Sequence, residues 1–191
     1  GQVAGKTSLS TVGKAGKGLT YRGYEIEVLA EKATFEEVAY MLLYGNLPNK
    51  EEYSSYTDKL KKLRALPNEL IGVLENIPAS AHPMDVMRTG CSMLGNLEPE
   101  GDFKNQNSSA DRILASLASI IVYWYKFSHE GKKVNLETDF ETIGGHFLSL
   151  LTDKDPSEDD IRCLDTSLIL YAEHGFNAST FTARTCASTL S

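Results

Sequence analysis

Several chemistries are missing from these 191 residues before any is found. Cysteine is scarce: Cys91, Cys163 and Cys186 are an odd number without C-x-x-C spacing. That argues against a disulfide framework and a cysteine-built zinc site, and it reads as small buried thiols in a reducing compartment. The four histidines, His82, His129, His146 and His174, form no i, i+4 pair and no E-x-x-H, so no metal is expected. Basic residues are outnumbered, 19 Lys and Arg against 26 Asp and Glu, leaving a net charge of −7 and no footprint for nucleic acid. No apolar run is long enough to span a bilayer, and the N-terminus lacks the basic-then-apolar pattern of a signal peptide. The expectation is a cytoplasmic protein with neither membrane nor nucleic acid as partner.

What is present is a helical pattern. Residues 7–12 and 19–24 are the only convincing strand-like pieces, with Gly13, Gly16 and Gly18 between them. The glycines do not match G-x-x-x-x-G-K-[ST] and lead into no helix, so a small hairpin is the better reading than a phosphate loop. Beyond it, start signals are frequent. Thr34…Glu37 is a capping box, Asn49…Glu52 and Thr138…Glu141 follow the same logic, and Ser108…Asp111 and Ser157…Asp160 are shorter-armed versions. Gly45 and Gly131 sit where C-caps belong, and Pro48, Pro67, Pro78 and Pro83 fall between elements. The pattern predicts helices over 25–31, 35–45, 50–64, 67–75, 83–95, 109–129, 139–152, 157–173 and 179–190, with a loop over 98–107. Residues 113–125 are apolar or small nearly all round, which predicts a central helix surrounded by protein or a broad dimer surface. The fold class is all-α with a small N-terminal hairpin over 1–24 and a helical domain over 25–191.

Two histidines stand in unusual places. The stretch 171–184 breaks a helix at Glu173-His174-Gly175 and starts another near Ser179. An imidazole at a helix end beside a turn is held by backbone on both sides and still faces open space, a good position for a proton donor. It also fits a plain C-cap, with Gly175 left-handed and Ser179 as the next N-cap. His146 follows Gly144-Gly145 inside a helical pattern, where each glycine costs about 1 kcal/mol relative to alanine. Something approaches the backbone there, another helix or a ligand. His82, before Pro83, reads as a capping or packing residue, and His129 as an ordinary polar helix C-terminus.

Taken in order, the motifs resemble the citrate synthase family. Gly5-Lys6-Thr7, Thr11-Val12-Gly13 and Leu19-Thr20-Tyr21-Arg22-Gly23-Tyr24 resemble its N-terminal hairpin, and the residues 35–45 its next helix. His82-Pro83-Met84-Asp85-Val86-Met87-Arg88 and the stretch 171–184 are similar to family signatures. Tyr123-Trp124-Tyr125 and Gly144-Gly145-His146-Phe147-Leu148 favour the methylcitrate branch, which uses propionyl-CoA, over the acetyl-CoA branch.

The resemblance implies a Claisen-type condensation of an acyl-CoA with oxaloacetate, with no metal or cofactor and with a homodimer formed through helices that include 113–125. It places His174 on the histidine that hydrogen-bonds the acyl-CoA thioester carbonyl. Proton removal alpha to that carbonyl builds negative charge on its oxygen, which a positioned donor stabilises. The resemblance places His146 on a histidine that contacts oxaloacetate, and Asn177 in the same motif as His174, as a support for the loop at the substrate site. Arg22, Arg88 and Arg184 are expected to be structural ion pairs. The family's Gly-Pro-x-His-Gly-Gly-Ala-Asn motif, with its second histidine, does not occur among the 191 residues, nor does the context of the catalytic aspartate. The expectation is therefore an N-terminal part of the large domain, inactive alone. An ordinary citrate synthase using acetyl-CoA, or a non-catalytic helical scaffold, are the alternatives.

Overall fold

The computed structural model describes residues 5–13 and 18–189. Gly16, one of the expected turn glycines, and residue 190, where the expected last helix ends, lie outside them, as does residue 191. The chain is mainly helical with one small antiparallel sheet of order β1-β2-β3: β1 is Ser10–Thr11, β2 Thr20–Tyr21 and β3 Tyr24–Glu25. The expected strand over 19–24 is thus two strands. Arg22 and Gly23 have φ of 47° and 93°, the positive pair that a tight two-residue hairpin turn requires. Glycine adopts this freely; Arg22 is tied there by its N–H to the Leu9 carbonyl and its guanidinium to the Leu42 carbonyl.

All nine expected helices form among the described residues: α1 Ile26–Lys32, α2 Phe35–Tyr44, α3 Lys50–Lys62, α4 Asn68–Glu75, α5 Pro83–Leu97, α6 Gln106–Glu130, α7 Ile143–Thr152, α8 Glu158–Tyr171 and α9 Ala178–Ser188. Local chemistry explains many of their ends. Thr34 and Glu37 close a reciprocal capping box, and Ser157 and Asp160 do the same before α8. His82 caps α5 by accepting from Met84 N–H, with Pro83 at the first helical position. Gly131 ends α6 in the left-handed region. Two start signals fail. Ser108 lies inside α6, and Thr138 starts no helix because its hydroxyl is engaged by His146. Thr142 caps α7 instead, and Arg64 and Lys61 hold the preceding residues through the carbonyls of Phe140, Glu141 and Asp139.

The chain divides into two compact units, Gly1–Asn49 with Cys163–Ser191, and Lys50–Arg162, α8 running across the boundary. In the second, α6 packs against α3, α4, α5 and α7. Leu70, Leu74, Val86, Leu94, Ile120, Tyr123 and Trp124 form its core. The small residues of α6 allow this: Ala115, Ser116, Ala118 and Ser119 are all buried. Across from α6, Gly90 leaves room for Ile120; a Cβ at Gly90 would lie 2.6 Å from its Cγ2. In the first unit, Tyr21, Ile26, Leu29, Phe35, Val38, Met41 and Ile169 are buried, and Asp165 accepts a hydrogen bond from the Phe35 N–H.

Candidate functional site

His174 stands in the break between α8 and α9, exposed, with its backbone held from both sides. Before it, the buried phenol of Tyr21 reaches the end of α8. Its O–H is shared among the carbonyls of Ile169, Leu170 and Glu173 at 3.1, 3.3 and 3.1 Å, and its oxygen accepts from the Glu173 N–H at 3.3 Å. Ile169 and Leu170 lie in the last turn of α8, where carbonyls lack their full intrahelical partners, and Glu173 lies just beyond it. Burial pushes the Tyr21 phenol above its ordinary value, so it stays a neutral donor. After His174, the Glu173 carboxylate folds over to accept the Gly175 N–H, and it also accepts from Ser10 Oγ at 3.1 Å. Gly175 has a φ of +73°, which makes the left-handed turn inexpensive. Asn177, not Ser179, is the N-cap of α9, its Oδ1 accepting from the Thr180 N–H at 2.9 Å. The cap falls two residues earlier because Asn177 keeps extended backbone while Ser179 is already helical.

His146 lies in the other unit, and its surroundings are closed. Its ring is completely buried, Nε2 lies 3.0 Å from Ser119 Oγ and Nδ1 2.9 Å from Thr138 Oγ1. Burial, helped by the positive charge of Arg64, lowers it to about 4, so the ring is neutral at pH 7. One nitrogen then donates to a hydroxyl and the other accepts from one. The glycine before it is explained by packing: a Cβ on Gly145 would meet the Phe140 ring at 2.9 Å and Thr142 Oγ1 at 3.0 Å. In this arrangement both nitrogens of His146 are engaged by protein hydroxyls. The sequence expected His146, His174 and Asn177 at one substrate site; within the first unit the structure brings His174 and Asn177 into one turn.

Comparison with known proteins decides the kinship. The family model described as "Citrate synthase, C-terminal domain" matches residues 1–191. The chain belongs to the citrate synthase family. It is 63% identical over its whole length to the 2-methylcitrate synthase of Shewanella oneidensis, of which it covers 51%. It is 38% identical to the citrate synthase of Deinococcus radiodurans over 91% of this chain and 46% of that one. Among solved structures it resembles the citrate synthase of Pyrobaculum aerophilum, with a TM-score of 0.87 and 35% identity over 98% of this chain and 49% of that one. The chain spans about half the length of the curated relatives it matches.

On this citrate synthase scaffold the arginines do not behave alike. Arg88 pairs with Asp85 at 3.2 Å on an exposed face, an ordinary surface pair. Arg22 binds a carbonyl and Arg184 lies over the Phe176 ring at 4.8 Å; among the described residues neither is seen in the expected ion pair. The cysteines also differ from expectation. Cys163 and Cys186 are exposed and Cys91 is half-buried, all three as free thiols; α9, which carries Cys186, buries no side chain in this chain. Among the described residues no group of three His, Cys, Asp or Glu side chains converges as a metal site, and no helix is long and apolar enough to cross a membrane. Sequence reasoning missed Tyr21 and Ser10 as supports of the His174 turn. No local signal marks them, since their partner Glu173 lies 152 and 163 residues further along.

Proposed function

We propose that the whole polypeptide to which this chain belongs is a 2-methylcitrate synthase, condensing propionyl-CoA with oxaloacetate and water to give 2-methylcitrate and CoA. The observation that carries this is the 63% identity over all 191 residues to a protein of that name. A base removes the alpha proton of propionyl-CoA, the enol carbon attacks the ketone of oxaloacetate, and hydrolysis releases CoA. His174 is the catalytic residue of this chain, donating a hydrogen bond to a substrate carbonyl oxygen as charge develops there. Two oxygens qualify, that of the thioester and that of the keto acid. The resemblance pairs His174 with the thioester and His146 with oxaloacetate. The closed surroundings of His146 argue against its half of that assignment, and His174 is the exposed imidazole suited to either oxygen. Asn177 supports the loop through its cap. A cytoplasmic homodimer without metal or cofactor is the form proposed, with α6 at the interface; Ile113 and Tyr125 are its exposed apolar groups, 41% and 38% accessible.

The test is CoA thiol release by the complete protein with oxaloacetate and either propionyl-CoA or acetyl-CoA. Turnover of propionyl-CoA is expected to be faster by about 10- to 200-fold, the discrimination one methylene allows. Preference for acetyl-CoA would make the protein a citrate synthase, and no release from folded protein would leave a scaffold. In His174→Ala, a raised KM for oxaloacetate alone assigns the ketone to His174. A fall in kcat with oxaloacetate binding intact assigns the thioester, and unchanged kinetics remove His174 from the mechanism.

A further inference from the structure

The small N-terminal sheet touches the His174 turn at two separate points, and both contacts are polar and directed. From β2, the Tyr21 hydroxyl holds both backbone groups of Glu173, the residue before His174. From β1, Ser10 Oγ donates to the Glu173 carboxylate, which in turn holds the N–H of Gly175, the residue after it. The His174 peptide is therefore clamped on each side by a chain of hydrogen bonds that ends in the sheet. Such bonding goes beyond what a helix end needs. A C-cap requires the last carbonyls to be satisfied, and water does that readily at an exposed end. Here a fully buried side chain, 148 to 152 residues distant in sequence, does it instead.

We infer that Tyr21 is a positioning residue for His174, with Ser10 and Glu173 as the second arm of the same clamp. The inference rests on the proposed role of His174. The physical reason for such a device is steep geometry: a donor displaced by about 1 Å from its acceptor loses roughly 100-fold in rate. An exposed turn between two helices, one of which buries nothing in this chain, lacks the packing that ordinarily supplies such precision. The sheet substitutes directed hydrogen bonds for it.

The test uses the complete protein and four variants, His174→Ala, Tyr21→Phe, Ser10→Ala and the double variant Tyr21→Phe with His174→Ala. Tyr21→Phe keeps the ring in its buried position and removes only the hydroxyl. It is expected to lower turnover about 10-fold or more, on whichever of kcat or the oxaloacetate KM His174→Ala also affects. In the His174→Ala background the same change is expected to cost less than about twofold, because a residue that acts through His174 has nothing left to position. A general structural role would instead lower activity equally in both backgrounds, and that result overturns the inference. So does an unchanged rate in Tyr21→Phe while His174→Ala is impaired. If Tyr21→Phe fails to fold, Ser10→Ala takes its place; it removes one hydroxyl from the other arm and is expected to show a smaller loss with the same dependence on His174. Unimpaired His174→Ala removes His174 from the mechanism, the role on which this inference rests, which separates the two failures.

Discussion

At the scale of single residues, the two histidines separate by environment. His146 is enclosed by hydroxyls and lowered to about 4 by burial and then by Arg64. It stays neutral in the fold and takes up a proton on unfolding below its ordinary value of 6.5. Between those two values the unfolded chain binds more protons, so stability is full above 6.5, falls as pH drops, and levels off below about 4. From about pH 7.5 to about pH 5.5 the loss attributable to this ring is about 1 kcal/mol. Urea unfolding of His146→Gln, whose amide does not titrate, is expected to lose that part of the slope. An unaltered slope in the variant would assign the pH dependence to other groups. Nothing in the sequence around His146 distinguished an enclosed imidazole from a ligand-binding one, because Ser119 and Thr138 are ordinary residues until folding brings them to the ring.

At the scale of elements, the helices were legible because their information is local. Capping pairs lie three residues apart and apolar faces repeat at three and four, so nine helices are readable without tertiary knowledge. The α7 start was misread for a non-local reason: Thr138 is held by His146, and Arg64 fixes the carbonyls of Phe140 and Glu141 in a non-helical path. The close approach of α5 and α6 gives a paired prediction. Alanine gains about 1 kcal/mol over glycine inside a helix. At Gly90 the new Cβ would stand 2.6 Å from Ile120 Cγ2, while at Gly95 it would meet nothing within 4 Å among the described residues. Gly90→Ala is expected to destabilise by about 1–2 kcal/mol, overpacking outweighing propensity. Gly95→Ala is expected to be neutral or stabilising by up to about 1 kcal/mol. Chemical denaturation of both variants checks the pair, and equal effects would sink the packing argument.

At the scale of the whole molecule, burial is unevenly shared. Helix α6 buries ten side chains and packs against four other helices, whereas α9 buries none. Local opening free energies follow such differences. Hydrogen exchange of the 191-residue chain is expected to show the α6 amides among the slowest and those of α9 among the fastest. Comparable protection of the two would mean that α9 is covered by contacts this structure does not contain.

By itself, the sequence determined the helix pattern, most of the caps, the break at His174 and the family, each of which is written in residues close together or in motifs in register. Only the tertiary structure decided that β2 ends at Tyr21, that α7 begins at Ile143, that hydroxyls flank both ring nitrogens of His146, and that Tyr21 holds the turn bearing His174. The physical reason is distance along the chain. The deciding hydrogen bonds join residues 27 and 152 positions apart, and side chains that generic have no local pattern that reveals their partners before the fold does.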